Sequence, residues 1–372
     1  MMRNTCNLTI NGRTVQARIG ETLVDAGLGA SVVIPHDCCS GQCETCRVSV
    51  VSGAVDDQGT AEAGTVLACQ ALVTGPAAIA FEEVPAARKV AGVVKEIVPL
   101  GGDVIEVVVA LDAPLPHRPG QYASVKFAGF PARDYSPAPR LDGSRREDEL
   151  AFHISRLPGG LVSTQLGATI RAGHRVQVRG PFGSAFLRDG DGPLILVAGG
   201  TGFAPIWSIA LAARREQRHR DMIVICGVRD PSYLYMRPAL EWLIEDGATQ
   251  VIATSETGAI APLRAGRPTN YLPLLGPEDT VHVAGAQGLV DAVRSKARQA
   301  GVRCYADPFL PAAQSLSLID RVMQMLRAPA AAPAEPAAAH ATAGGLGRYL
   351  RRQPAVERSA APREATERRA RR

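Results

Sequence analysis

Four cysteines fall within nine residues of this chain, Cys38, Cys39, Cys43 and Cys46 in DCCSGQCETC, and Cys69 follows alone. Five of the eight cysteines thus lie within 32 residues, whereas a secreted disulfide framework spreads its bridges over a whole small domain. A metal or cluster site in a reducing compartment fits this crowding better. Cys38, Cys43, Cys46 and Cys69 are spaced C-x4-C-x2-C-x22-C. A [2Fe–2S] cluster needs two thiolates on each iron, and a close trio in a loop with a distant fourth supplies them. Structural zinc is the alternative, but it more often uses two C-x2-C knuckles, and only one is present. A redox C-x-x-C is a third reading, but it expects a βαβ setting that Cys43 and Cys46 lack. Cys39 is surplus and reads as a bystander, and Cys6, Cys226 and Cys304 as small apolar residues.

The rest of the chain divides by pattern. NLTINGRTVQARIG alternates apolar and polar residues around Asn-Gly, a hairpin signal. ETLVDAGLGA fits a short helix, the cysteine stretch a loop, and CRVSVVSGAV a strand. From Val90 to about Gly183 the pattern is all-β: VAGVVKEIVPLGGDVIEVVVAL is two strands around a Gly-Gly turn, and GQYASVKF, LAFHISR and HRVQVRGPFG are further strands. A small barrel of about six strands accounts for it. From Gly192 to about Pro308 apolar runs alternate with helical patterns, the layout of a parallel α/β sheet. The expected boundaries are 1–85, 88–188 and 190–311, with a possible helix over 312–327. Residues 328–372 form a low-complexity Ala/Pro and Arg/Glu segment that need not fold and reads as disordered.

No run of 18 apolar residues suggests a membrane span, and the first residues lack a signal-peptide core, so a cytoplasmic location is expected. The net charge of +5 is carried by the end of the chain, where nine Arg oppose four Glu from Ala328 onward. Residues 1–85 hold four Arg against nine acidic residues. The first module is therefore acidic, and none has the sustained basic character of a nucleic-acid binder.

The cysteine stretch closely resembles plant-type ferredoxins, whose usual string is C-x-x-G-x-C-G-x-C. Gly41 fits that string, and Glu44 stands where glycine is common. The gap to Cys69 is short for the family. RDYSPA resembles the R-x-Y-S/T signature of the ferredoxin reductase family of flavoproteins. The resemblance implies that Arg133 pairs with the FAD pyrophosphate, Tyr135 lies against the isoalloxazine ring and Ser136 hydrogen-bonds near flavin N5. LPGGLVSTQL matches the G-G-x-x-S-x-x-L piece of that family, made here of Gly159, Gly160, Leu161, Val162 and Ser163. Gly160 to Ser163 is expected to open a helix whose N–H groups receive phosphate, with Leu161 and Val162 as wall or core. GPFG, Gly180 to Gly183, matches the turn that closes the barrel. FMN is the rival flavin, disfavoured because relatives that use it tend to carry the iron–sulfur domain at the C-terminus.

In LILVAGGTGFAPIWSIA, Gly199, Gly200, Thr201 and Gly202 form a strand-to-helix turn that lets the backbone approach a pyrophosphate. It resembles the G-G-T/V-G-x-A/T-P string of the reductase family, in which Thr201 lies near the nicotinamide. The family's strand-end C-G-P is matched by Gly285, with Ala284 in place of the cysteine and Ala286 in place of the proline. CYADPF puts Phe309 where relatives carry an aromatic beside the flavin, or else in the core. Ser136, Thr201 and Phe309 are the residues expected at the reaction itself. After the second strand of this module, Arg229 and Ser232 favour a 2′-phosphate and Asp230 opposes one, so NADH is expected ahead of NADPH.

The chain to about Pro311 resembles the NADH-dependent reductase components of bacterial multicomponent oxygenases. That implies a β-grasp-like ferredoxin domain, an FAD-binding antiparallel barrel and an NAD-binding α/β domain. Electrons would pass from NADH through FAD and the cluster to an oxygenase or ferredoxin component of an aromatic-ring dioxygenase or soluble monooxygenase, in aromatic hydrocarbon catabolism. A monomer is expected. Other readings are a reductase for a small acceptor or a non-oxygenase such as a deoxysugar dehydratase, and a ferredoxin-like carrier without NADH activity.

Overall fold

A computed structural model of the chain describes residues 4–258 and 260–309. All of them fall within one compact unit, Met1–Ala313. The helix expected over 312–327 and the tail over 328–372 lie outside the described residues.

The first sheet begins with the expected hairpin, β1 (Thr5–Ile10) and β2 (Arg13–Arg18). Its turn residues Asn11 and Gly12 both have positive φ, 47° and 79°, as a two-residue turn matched to the twist of its strands requires. Helix α1 (Leu23–Gly29) follows, with the Thr22 hydroxyl accepting the Asp25 N–H at 3.1 Å. The cysteine loop comes next, then β3 (Arg47–Asp56), β4 (Thr65–Leu67) and β5 (Leu72–Ala80). The order is β2-β1-β5-β3-β4, with β1 and β5 parallel. Leu8, Ile10, Leu23, Ile34, Val48 and Ile79 fill the space beneath α1 and the loop.

The second sheet contains β6 (Arg88–Gly101), β7 (Val104–Leu111), β8 (Tyr122–Phe127), β9 (Arg133–Tyr135), β10 (Pro137–Ala138), β11 (Glu149–Ser155) and β12 (Arg175–Phe182). Seven strands replace the expected six or so, because the short β9 and β10 are two separate edges. The order is β10-β11-β7-β6-β12-β8-β9, antiparallel throughout. β9 and β10 occupy opposite ends of that order, yet only Ser136 separates them in the chain. The sheet must therefore curl until its two edges meet at Ser136. Phe127, Phe152, Val107 and Ile170 pack inside the curl.

The third sheet is parallel: β13 (Leu194–Gly199), β14 (Met222–Val228), β15 (Gln250–Ser255), β16 (Arg264–Ala265), β17 (Thr280–Ala286) and β18 (Arg303–Phe309), in the order β16-β15-β14-β13-β17-β18. Helices α2 (Phe203–Glu216), α3 (Arg237–Glu245) and α4 (Gln287–Gln299) cover it. α2 and α3 share one core with the strand face around Trp207 and Leu196, and α4 packs on a second around Val283 and Val293. Strands run outward from β13 in both directions. The switch point is therefore the gap between the C-terminal ends of β13 and β17, where ligands bind in such sheets.

Phe152 is fully buried and its ring lies 6.1 Å from that of Tyr135. Phe152→Ala is expected to destabilise the protein by about 3–5 kcal/mol, because it leaves a cavity under the seam. A fall in the chemical-denaturation midpoint, read by circular dichroism, checks it.

Candidate functional site

The cysteine loop leaves α1 and re-enters the sheet at β3, while Cys69 returns on the short segment between β4 and β5. Cys38 and Cys39 are exposed, Cys43 is half-buried, and Cys46 and Cys69 are buried. Backbone bonds set the four expected ligands in two pairs: the Cys43 N–H donates to Cys38 Sγ, and the Cys46 carbonyl accepts the N–H of Ala68, next to Cys69, at 2.9 Å. Backbone N–H groups of Ser40 and Cys43 donate to Cys38 Sγ at 3.4 Å. Gln70 Nε2 donates to Cys69 Sγ at 3.4 Å and to the Cys39 carbonyl at 3.1 Å. Burial pushes the Cys38 thiol up, but bonds from Ser40 and Cys43 outweigh it and bring the pKa to about 7. Burial pushes the Cys46 thiol well up.

Among the described residues no three such side chains group around a single-metal centre. Two thiol pairs instead suit two irons with two thiolates each, and the N–H donors suit anionic sulfur. The residues present therefore fit a [2Fe–2S] cluster. Cys39 accepts the Gln70 bond through its backbone carbonyl. Glu44, which stands where glycine is common, adopts φ +56°, so the left-handed backbone is kept without a glycine.

The loop's other residues face the curled sheet. The Tyr122 hydroxyl donates to Asp37 Oδ2 at 3.0 Å, and Arg179 approaches Asp37 at 3.7 Å. The Gly183 N–H, at the end of the GPFG turn, donates to Thr45 Oγ1 at 3.1 Å. Asp37 precedes Cys38 and Thr45 precedes Cys46, so the thiols are tied to the barrel through their own neighbours.

At the barrel seam, Arg133 and Tyr135 are half-buried and Ser136 is buried. The Arg133 guanidinium donates to the Ala132 carbonyl at 2.7 Å and forms no ion pair among the described residues. Ser136 Oγ donates to Asp307 Oδ2 at 3.3 Å, joining the seam to β18 of the parallel sheet. Burial pushes the Asp307 carboxyl up to about 7. A guanidinium without an ion pair among the described residues, an aromatic wall and a hydroxyl within four residues form a donor set that fits a flavin diphosphate and its ring.

The GGLVS segment corrects one expectation. Gly160 to Ser163 leads into a single 3-10 turn, Ser163–Gln165, rather than a longer helix. Ser163 Oγ accepts the Leu157 N–H at 3.1 Å, and the Thr164 hydroxyl donates to the Gly160 carbonyl. Those local bonds hold Gly159 to Ser163 as a tight turn, and the chain leaves it at Leu166 in extended conformation. Leu161 is 66% exposed, whereas Val162 joins the barrel core.

At the switch point, Gly200 is exposed and Thr201 half-buried. Gly202 packs too close to the end of β17 for any side chain: a Cβ there would lie 2.2 Å from the Ala284 carbonyl oxygen. A Cβ at Gly285 (φ +130°) would lie 2.7 Å from the Gly199 carbonyl oxygen. The turn thus closes against the end of β17, with Gly200 and Thr201 facing outward, and this opening fits a nucleotide's pyrophosphate. Ala284 is buried. Phe309 ends β18 beside Ala286 and is 37% exposed, so it is not a core phenylalanine. Arg229 is exposed after β14. Asp230 accepts from Ser232 N and Oγ and from the Thr257 hydroxyl, bonds that hold its carboxyl below the usual range. Ser232 is thereby engaged with Asp230.

Sequence reasoning missed Asp307, Tyr122, Thr45 and the partners of Glu44. Asp307 stands within the quoted CYADPF, but only the meeting of β18 with the seam reveals its contact.

A curled antiparallel sheet with a flavin-type seam, a parallel sheet with a nucleotide switch point, and a four-thiol loop define a flavin- and iron–sulfur-dependent NAD(P)H oxidoreductase. Family models agree: a 2Fe-2S iron-sulfur cluster binding domain matches residues 8–74, an oxidoreductase FAD-binding domain 92–186, and an oxidoreductase NAD-binding domain 196–295. The chain is 32% identical over 325 residues to the ferredoxin–NAD(P)+ reductase component of the naphthalene 1,2-dioxygenase system of Pseudomonas putida, covering 81% of this chain and 97% of that one. It is 29% identical to the xylene/toluene monooxygenase electron transfer component of Pseudomonas putida, covering 81% and 93%. Among solved structures, an Amycolatopsis cytochrome P450 reductase superposes with TM-score 0.62 at 28% identity, covering 82% of this chain and 99% of that one. The ferredoxin reductase in carbazole 1,9a-dioxygenase gives TM-score 0.56 at 25% identity, covering 82% and 98%. The chain belongs to the family of ferredoxin–NAD(P)+ reductase components that carry a [2Fe–2S] cluster, FAD and a nicotinamide-binding domain. No helix among the described residues is long and apolar enough to cross a membrane.

A carboxyl whose pKa is raised by folding favours the protonated folded state. Its stabilising effect is full below the ordinary value of 3.8 and is lost as pH rises through about 7. On cofactor-stripped protein, Asp307→Asn is expected to flatten the decline in stability across that window, read as denaturation midpoint against pH.

Proposed function

We propose that this chain is the NADH-oxidising reductase component of an aromatic-ring dioxygenase or soluble monooxygenase system, delivering electrons singly to an oxygenase or ferredoxin partner. The observation that carries the reading is the convergence of three sites on one junction. The Ser136–Asp307 bond joins the flavin seam to the nucleotide sheet, and the Gly183–Thr45 bond joins the barrel to the thiol loop. When bound, FAD takes up a hydride's two electrons and the cluster carries one electron at a time.

The roles fall to the chain's own residues as follows. Arg133 holds the FAD diphosphate and Tyr135 walls the ring, while Ser136 can turn its hydroxyl proton toward N5 when a protonated Asp307 donates to the Ser136 oxygen. Asp307 keeps the Ser136 hydroxyl oriented and, with a pKa of about 7, can hold or release a proton there. Gly199, Gly200, Thr201, Gly202 and Gly285 shape the nicotinamide crevice, with Thr201 at its mouth. Phe309 covers the face that the nicotinamide takes, shielding it from water. The charged Asp230, with Ser232 engaged beside it, disfavours a 2′-phosphate, which supports NADH over NADPH. Cys38 and Cys43 hold one iron, and Cys46 and Cys69 the other. The modules 1–85, 88–188 and 190–311 correspond to these three tasks. A cytoplasmic monomer fits the reading, and the acidic first module suits an acceptor with a basic docking face.

Protein purified without oxygen is expected to show flavin bands and to oxidise NADH faster than NADPH. Cys39→Ser is expected to retain two irons and two sulfides, while Cys69→Ser loses them, measured by iron and sulfide assay. Absence of flavin, or cluster loss in Cys39→Ser, contradicts these assignments.

A further inference from the structure

Glu44 sits between two of the thiol ligands in a conformation that suits glycine better. Its φ of +56° strains an L-residue, and nothing in loop geometry alone explains an acid there. Its carboxylate is only 10% exposed and is fully engaged. Glu44 Oε2 accepts from Arg47 Nε at 3.0 Å, and Oε1 accepts from Arg47 at 3.1 Å and pairs with Arg294 at 2.9 Å. Arg294 lies on α4 of the parallel sheet. Glu62 joins the same network, pairing with Arg294, with Arg298 at 3.4 Å and with Arg47 at 3.8 Å. Arg294 and Arg298 are one turn apart on one helix face, as an i, i+4 pair must be. Glu62 comes from SGAVDDQGTAEAG, the segment that looked shortened in sequence.

Two acids and one arginine of the thiol module thus meet two arginines of α4. Arg294, Glu44 and Glu62 are each less than a fifth exposed, so solvent screens the contact weakly. α4 begins at Gln287, directly after the Ala284–Ala286 end of the nucleotide crevice. Thr45 and Asp37 tie the same loop to the barrel, so Glu44 supplies its second anchor, on a different module.

We infer that Glu44, through Arg294 and with Glu62, is a positioning residue that fixes the iron–sulfur loop on the nucleotide module and so holds the separation between flavin and cluster constant. A glycine at this position would relax the backbone but release the anchor. Internal electron transfer, rather than hydride transfer from NADH, is the step that depends on it. The inference rests on the proposed electron route.

The test uses full-length protein with its cofactors, comparing wild type with Glu44→Gln, Glu44→Gly, Arg294→Gln and Arg294→Lys. The variants are expected to keep two irons and two sulfides and to reduce flavin with NADH at the wild-type rate. Flavin-to-cluster transfer, followed by anaerobic rapid mixing, is expected to fall about tenfold or more in the Gln and Gly variants, since small misplacements have large rate effects. Arg294→Lys, which keeps the charge, is expected to recover much of that loss. Hydrogen exchange of the 287–299 peptide in cofactor-free protein gives an independent readout. It is expected to rise in Glu44→Gln and in Arg294→Gln, and to rise no further in the double variant. If Glu44→Gln loses its cluster, Arg294→Gln, altered away from the thiols, decides alone. Wild-type transfer and exchange in Arg294→Gln overturn the inference. A wild-type protein whose cluster NADH never reduces overturns instead the electron route beneath it.

Discussion

A single residue, Ser136, joins the two edges of the seven-stranded sheet, and the placement of everything reactive follows from that closure. β9 must lie beside β8 at one end of the strand order and β10 beside β11 at the other. One intervening residue leaves the sheet no choice but to curl. Arg133, Tyr135 and Ser136 are thereby concentrated at the seam, where a diphosphate and a planar ring would each meet a matching group. The same closure turns Ser136 toward β18, so its hydroxyl reaches Asp307 on another sheet. A barrel closed by a longer loop would not hold that hydroxyl so firmly.

The parallel sheet contributes its switch point beside the seam. Its tight turn depends on two missing side chains, at Gly202 and Gly285, which let β13 and β17 end against each other. The thiol loop is then secured by the residues beside and between its ligands rather than by the ligands themselves. Asp37 and Thr45 bond to the barrel, and Glu44 pairs with α4. Cys38 stays exposed while Cys46 and Cys69 are buried toward the interior.

Local chemistry made much of this legible in the sequence. The thiol spacing, the Asn-Gly hairpin and the alternation of apolar runs with helical patterns depend on neighbours in the chain, and each corresponds to an observed element. RDYSPA was recognisable because its three side chains are consecutive or nearly so. What could not be read depends on distant partners. Ser163 turns inward because Leu157 N–H needs an acceptor, so the expected phosphate-binding helix is a single turn. Asp307 looked like part of an ending motif, and its role emerges only where two sheets meet. Glu44 was noticed as the residue out of pattern, but its reason lies in Arg294, 250 positions along the chain.

The central claim is that electrons from NADH pass through the seam before they reach the thiol loop. Its most direct test is anaerobic mixing of the loaded protein with NADH, following flavin absorbance and the paramagnetic signal of the reduced cluster in the same samples. The account predicts that flavin bleaches first and that the cluster signal then grows at its expense. A cluster reduced before the flavin, or a fully reduced flavin beside a cluster that stays oxidised, would contradict it.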